Sequence, residues 1–68
     1  MDKDIVAVLN KIHKIRIDKG ISIIDLANEA DISHSYVFYI ESKKKVPTLT
    51  VLNKIAKALG VKMKDFFD

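Results

Sequence analysis

The chain has 68 residues, no cysteine and a formal net charge of +3, and 49% of its residues are hydrophobic. A chain of this length is expected to form a single domain, residues 1–68. A domain of this size buries only about 60% of the surface that its unfolded chain exposes. The composition excludes disulfides and thiolate metal sites, and no apolar run is long enough to span a membrane. The N-terminal segment MDKDIVAV lacks the pattern of a signal peptide, so a cytoplasmic location is expected.

The first predicted helix runs from Asp4 to Lys19. Its apolar residues recur with the 3.6-residue period of one helix face; they are Ile5, Val8, Leu9, Ile12 and Ile15. Gly20 follows the last of them and is expected to end the helix as a left-handed cap residue.

A second helix is predicted from about Ile23 to Ala30. Ser22 can cap its N-terminus, and Asp25 follows three residues later, as in a capping box. Ile21 and Leu26 occupy the two positions of a hydrophobic staple. These local signals place the helix start at Ile23.

Residues 33–41, SHSYVFYIE, allow two interpretations. The run Tyr36–Ile40 favours β-structure by propensity. Ser33, however, is a good helix N-cap, and the chain offers no second strand with which a lone strand could pair its backbone groups. We therefore predict a third helix over residues 34–41.

The connection between the second and third predicted helices is only Asp31-Ile32-Ser33. So short a turn forces the helices to cross steeply, as in a helix-turn-helix. Asp31 lies where the turn needs a left-handed backbone, which aspartate tolerates better than most residues.

Two further helices are predicted in the last third of the chain. Pro47 ends the loop KKKVPT, and Thr48 can cap a fourth helix, Leu49–Leu59, which Gly60 ends. The segment VKMKDFF is expected to form a short fifth helix. Five helices without a strand predict an all-α, compact five-helix domain.

The positive charge is concentrated in the second half of the chain. Residues 1–31 carry a net charge of −1, whereas residues 32–68 carry +4, much of it in Lys43–Lys45. This asymmetry indicates a polyanionic partner. The alternative is that the lysine triplet is an ordinary solvated loop.

Three motifs in Ser22–Gly60 resemble the helix-turn-helix of the phage repressor and Cro (XRE) family. SIIDLANEADIS is similar to the family pattern S-Q-x-x-L-A-x-x-x-G-[VI]-S, and SYVFYIES to S-x-[IV]-S-x-[IL]-E-x. PTLTVLNKIAKALGV is similar to P-x-x-x-x-L-x-x-[IL]-A-x-A-L-x-V. The resemblance covers residues 11–68 and implies a lambda repressor-like fold. It also implies a sequence-specific transcriptional regulator that binds double-stranded DNA as a homodimer, with helix 34–41 in the major groove.

The resemblance also implies roles for individual residues. The residues carried over as base contacts are His34, Ser35 and Tyr39, of which His34 can donate to N7 or O6 of guanine or, when protonated, contact a phosphate. The residues carried over as DNA-backbone contacts are Ser22, Tyr36, Ser42, Lys43, Lys44 and Lys45. Arg16 and Glu41 are expected to form a structural ion pair. The alternatives are ordinary exposed side chains at these positions and partial packing of the two tyrosines.

The chain departs from the family pattern at several positions. Ile23 replaces a glutamine, Phe38 replaces a small polar residue, and Asp31 and Lys43 replace glycines. Phe38 can contact a thymine methyl group, or it can form an apolar patch with Ile23 and Ile24. The patch gives a second hypothesis, a protein-interaction module of the same fold that is antitoxin- or antirepressor-like and has a regulatory protein partner.

An enzyme is the weakest interpretation of the sequence. There is no glycine-rich phosphate loop and no His–carboxylate constellation, and a domain of this size has little concave volume for a small-molecule substrate. His13 and His34 are far apart in the sequence. No catalytic residue, cofactor or metal is therefore expected.

Overall fold

A computed structural model describes residues 2–68 and shows four α-helices followed by one turn of 3-10 helix. The helices are α1 (Lys3–Asp18), α2 (Ile23–Ala30), α3 (His34–Glu41) and α4 (Leu49–Leu59), and the 3-10 helix is Met63–Phe66. No strand occurs between residues 2 and 68. The all-α prediction is confirmed, and the β-favouring run Tyr36–Ile40 is helical.

The predicted fifth helix is shorter and tighter than expected. Met63–Phe66 form a single 3-10 turn, closed by backbone hydrogen bonds from Asp65 to Lys62 and from Phe67 to Lys64 at 2.9 and 3.0 Å. The Asp65 side chain also accepts from the Lys62 amide at 3.0 Å. Short 3-10 pieces are common at chain ends and connections, and four residues are too few for a stable α-helix of their own.

Side-chain caps fix the starts of α2, α3 and α4. Ser22, Ser33 and Thr48 each accept a hydrogen bond from the backbone N–H three residues further on, at 3.0, 3.1 and 3.2 Å. Each such cap is worth about 1 kcal/mol. The predicted bounds of these three helices are therefore confirmed, whereas α1 begins one residue earlier than predicted because Asp2 caps it.

Two non-glycine residues adopt a left-handed backbone. Asp31 has φ 58°, as expected for the α2–α3 turn, and Lys43 has φ 65° in the turn that follows α3. In that turn the Lys43 and Lys44 amides donate to the carbonyls of Ile40 and Tyr39 at 3.1 and 2.8 Å. These hydrogen bonds offset the strain of the left-handed backbone at Lys43.

The hydrophobic core draws side chains from all four helices and from the 3-10 turn. Its buried members are Val8, Leu9, Ile12, Leu26, Ala27, Val37, Ile40, Leu52, Ile55, Ala56, Leu59 and Phe66. Because α3 contributes only Val37 and Ile40, most of its surface is left outside the core. Across the described part of the chain, no helix is long and apolar enough to cross a membrane.

Candidate nucleic-acid interface

The third helix is buried on one side and open on the other. Val37 and Ile40 are each 1% exposed, whereas His34 and Ser35 are exposed and Tyr39 keeps 38% of its surface accessible. The structure thus brings the three residues predicted as base contacts together on the outer side of α3. An eight-residue helix of this kind has the diameter that the major groove admits.

The turn between α2 and α3 fixes the position of the third helix. The Ile32 amide donates to the Ala27 carbonyl at 3.0 Å, and the Asp31 amide donates to the Asn28 carbonyl at 3.3 Å. Across the turn, His34 Nε2 lies 3.4 Å from Asn28 Oδ1. No motif in the sequence points to Asn28.

The residues predicted to contact the DNA backbone lie at the ends of α2 and α3. Ser22 is exposed at the start of α2. At the end of α3, Ser42 is exposed and its hydroxyl donates to the Phe38 carbonyl at 2.7 Å. Tyr36 is half-buried, and Lys45 Nζ lies 5.6 Å from the centroid of its ring. The exposed run Lys43–Lys45 follows directly, so the C-terminal end of α3 is cationic.

A buried ion pair joins the end of α3 to α1. Arg16 Nε donates to Glu41 Oε2 at 2.6 Å, and Arg16 Nη2 donates to Glu41 Oε1 at 2.8 Å. Arg16 Nη1 also donates to the Ile21 carbonyl at 2.8 Å. The two side chains are 8% and 7% exposed. This bidentate pair, of the type predicted, ties α1, the α1–α2 connection and α3 together.

His13 adds a third group to this ion pair. The contribution of His13 was not predicted from the sequence. Its Nδ1 lies 2.6 Å from Glu41 Oε1, while the side chain remains 53% exposed. The available signal was the spacing of His13 and Arg16, because residues three apart share a helix face. Within residues 2–68, no cluster of three or more His, Cys, Asp or Glu side chains is arranged to hold a metal ion.

The environment of Glu41 lowers its pKa. Burial by itself raises the pKa of this carboxyl, but the hydrogen bonds with Arg16 and His13 and the charges of those two residues outweigh it. The net result is a pKa below the ordinary value of 4.5. A carboxyl with a lowered folded-state pKa stabilises the fold above its unfolded-state pKa and loses that contribution as the pH falls.

We therefore expect the stability contributed by Glu41 to disappear at acid pH. The free energy of unfolding of wild type and Glu41→Gln, measured by urea denaturation from pH 7 downward, should differ most at neutral pH. The difference should shrink below about pH 4.5, as the carboxyl is protonated. The exposed Glu29→Gln variant is the control and should follow wild type. A wild type–Glu41→Gln difference that is constant with pH would contradict the interpretation.

The apolar residues beside α3 do not all share one surface. Ile23 and Phe38 line a groove of about 230 Å³ between α1, α2 and α3, together with His13, Arg16, Glu41 and Ser42. Ile24 is 54% exposed but is absent from that lining, and Phe38 is 52% exposed. The structure thus brings Ile23 and Phe38 together in the groove.

A second apolar groove, here called the terminal groove, lies away from α2 and α3. It has a volume of about 210 Å³ and is lined by Asp4, Ile5, Val8, Leu9, Val46, Pro47, Leu49, Leu52 and Phe67. Leu49, Phe67 and Val46 are 69%, 59% and 53% exposed. None of the lining residues belongs to α2 or α3. The terminal groove is therefore available while the outer side of α3 is engaged.

Comparisons with known proteins agree with this architecture. Residues 12–66 match the family model described as helix-turn-helix. The crystal structure of the restriction-modification controller protein C.AhdI from Aeromonas hydrophila is similar, with a TM-score of 0.91 and 27% identity over 97% of this chain and 100% of that one. A hypothetical transcription factor, NHTF from Neisseria, has a TM-score of 0.87 and 31% identity over 97% of this chain and 77% of that one. No curated protein matches.

Proposed function

We propose that this chain, which belongs to the helix-turn-helix family of phage repressor and Cro (XRE) type, is a sequence-specific DNA-binding transcriptional regulator with α3 in the major groove. The supporting observation is the exposed outer side of α3. The opposite side of the helix is anchored in the core by Val37 and Ile40, and its end is tied to α1 by the Arg16–Glu41 pair. The similar proteins point the same way, since one is a restriction-modification controller and the other is described as a transcription factor.

Base recognition is assigned to the exposed side chains at the front and middle of α3. Ser35 can donate or accept a hydrogen bond with several bases. Tyr39 offers a hydroxyl and a flat apolar ring, and His34 offers a ring nitrogen. All three keep accessible surface in the described chain, so none has to leave the core to reach a base edge.

Phosphate contacts are assigned to the groups at the two ends of the α2–α3 unit. The positive end of the α2 dipole lies beside Ser22 and favours a phosphate, with the Ile23 and Ile24 amides as donors, since the Asp25 amide donates to the Ser22 hydroxyl. The other candidates are Tyr36 in the first turn of α3 and Ser42 and Lys43–Lys45 beyond its end, in the half of the chain that carries the net charge of +4. Such contacts supply affinity without sequence preference.

Selection of bound sequences from a random duplex pool tests this function. At about 50 mM and about 200 mM salt, wild type should enrich one sequence family, with affinity falling steeply between the two. A variant with Lys43, Lys44 and Lys45 changed to Gln should bind all sequences more weakly, with a salt slope reduced by about 0.9 for each phosphate that the variant no longer neutralises. A weakening confined to one sequence would assign those lysines to base reading, and no enrichment by wild type would reject the function.

The regulator is further proposed to be a homodimer that uses the terminal groove. Two copies of α3 must reach half-sites about 34–36 Å apart on one face of the duplex. An interface remote from α2 and α3 leaves both recognition helices free. Phe67 contributes to this surface, whereas the neighbouring Phe66 is 2% exposed and belongs to the core.

Leu49→Glu is expected to convert the dimer to a monomer. Leu49 is 69% exposed, so the change places a charge in the interface without disturbing the core. Sedimentation should show the smaller species, and affinity for a two-half-site duplex should fall while affinity for one half-site persists. Ile17→Glu, at a residue that is 53% exposed on α1 and outside the terminal groove, is the matched control. An unchanged sedimentation coefficient for Leu49→Glu would place the interface elsewhere.

A protein-interaction module is the second candidate function. Phe38 favours it, because this side chain is 52% exposed and lines a groove with Ile23, and exposed apolar surface often marks a binding site. The dependence of binding affinity on salt concentration distinguishes the two functions. Binding through phosphates weakens steeply with salt, whereas an apolar protein contact around Phe38 would change little.

A further inference from the structure

The contact between Asn28 and His34 connects α2 to the first residue of the recognition helix. Both side chains are exposed, and Asn28 Oδ1 lies 3.4 Å from His34 Nε2. The hydrogen-bonded turn between them holds their backbones in a fixed relation, since Asn28 also accepts from the Asp31 amide. His34 is therefore oriented by a neighbouring helix before any ligand arrives.

The chemistry of this contact selects one form of the imidazole. A carboxamide oxygen carries no proton and only accepts, so the hydrogen bond requires a proton on Nε2. In a neutral imidazole with Nε2–H, Nδ1 is unprotonated and can only accept. With this contact made, Nδ1 is the ring nitrogen that remains for a base.

We infer that Asn28 is a positioning residue that directs His34 toward amino groups in the major groove, an assignment that depends on the proposed DNA-binding function. With Nδ1 as acceptor, the partners are N4 of cytosine or N6 of adenine. Guanine offers only acceptors, N7 and O6, on that edge. This inference differs from the sequence-based expectation, in which His34 donates to guanine.

Three variants separate this role from a general loss of binding. Asn28→Ala removes the acceptor, Asn28→Asp keeps an acceptor oxygen at the same distance along the side chain, and Asn10→Ala changes an exposed asparagine on α1 as the matched control. The first measurement needs no DNA. Nitrogen-15 NMR of the His34 ring at pH 8, above the range in which free imidazole side chains titrate, should show the Nε2–H form in wild type, Asn10→Ala and Asn28→Asp. Asn28→Ala should show a mixture of the two forms.

The second measurement is the base preference of each variant on selected duplexes. Wild type, Asn10→Ala and Asn28→Asp should favour cytosine or adenine at one position of the half-site, and His34→Ala should abolish the preference there. Asn28→Ala should weaken discrimination at that position by about 5-fold, the lower end of the range for a base contact, and should admit guanine. Preferences at the other positions should not change.

The outcomes are distinguishable from failure of the proposed function. An unchanged ring spectrum or an unchanged base preference in Asn28→Ala, while wild type selects DNA, overturns the role of Asn28 alone. A wild-type preference for guanine at the position where His34→Ala abolishes discrimination overturns it as well. Absence of any selected sequence for wild type overturns the DNA-binding function and, with it, this role.

Discussion

Arg16→Ala is expected to lower the free energy of unfolding by about 3–5 kcal/mol, because it leaves the Glu41 carboxylate buried without its main partner. Both side chains are less than one-tenth exposed, so solvent screening does not reduce the effect much. A domain of this size has only about 3–10 kcal/mol in total. The variant should therefore melt more than about 10 °C lower than wild type in circular dichroism, or should be largely unfolded.

An exposed ion pair on the same helix provides the control. Lys14 and Asp18 are 2.7 Å apart with side chains 68% and 60% exposed, and exposed pairs of this kind contribute about 0–1 kcal/mol. Lys14→Ala should accordingly melt close to wild type. If Arg16→Ala does so too, the buried pair does not position α3 as described.

The paired substitution Arg16→Met with Glu41→Leu shows which of two causes destabilises the single variants. One cause is the loss of the ion pair, and the other is a buried charge left without its partner. Replacing both partners by apolar residues of similar volume removes the desolvation cost of the two charges. We expect the double variant to be more stable than Arg16→Met or Glu41→Leu alone, with a coupling energy well above the roughly 0.3–0.5 kcal/mol error of additivity. Double-variant destabilisation equal to the sum of the single effects would show that the two side chains act independently.

Tyr39→Ala and Ser35→Ala are expected to relax or abolish sequence preference while the fold is retained. Base contacts contribute about 1–3 kcal/mol of discrimination each, which corresponds to roughly 5- to 150-fold. Tyr39 packs edge-on against Phe38 with ring centroids 6.0 Å apart, so its removal should cost less than about 1.5 kcal/mol of stability. Footprinting on the selected operator and thermal melting measure the two effects separately.

Two further variants make that experiment more specific. Tyr39→Phe removes only the hydroxyl, so a normal preference in this variant would assign recognition to the ring. Thr50→Ala, at an exposed position of α4, is the matched control for Ser35→Ala and should leave the footprint intact. Normal footprints from both Tyr39→Ala and Ser35→Ala would remove these residues from the interface.

The elements with local start and stop signals were predictable, and the last element was not. The helices α2, α3 and α4 each begin with a side chain that caps an amide only three residues away, from Ser22, Ser33 and Thr48. The interactions that start these helices are therefore local in the sequence. The segment Met63–Phe66 also has a local cap, from the Lys62 amide to the Asp65 side chain, but that signal does not separate a 3-10 turn from a short α-helix. The burial of Phe66 in the core is likewise not visible in local propensity.

The candidate site divides in the same way. The exposure of Ser35 and Tyr39 on the outer side of α3 follows from the helical period and from the position of the Ser33 N-cap. The partners of that helix do not, because His13 and Glu41 are 28 positions apart in the chain. The terminal groove likewise joins three separate segments around Val8, Leu49 and Phe67.

By itself, the amino-acid sequence determined an all-α helix-turn-helix, the bounds of its three central helices and the cationic end of α3, because these follow from short-range hydrogen bonds, periodicity and charge. Only the tertiary structure decided that His13 joins Arg16 at Glu41, that Asn28 meets His34, and that Phe67 rather than Phe66 is exposed. Those contacts depend on how helices distant in sequence pack against one another, and no local pattern encodes that packing.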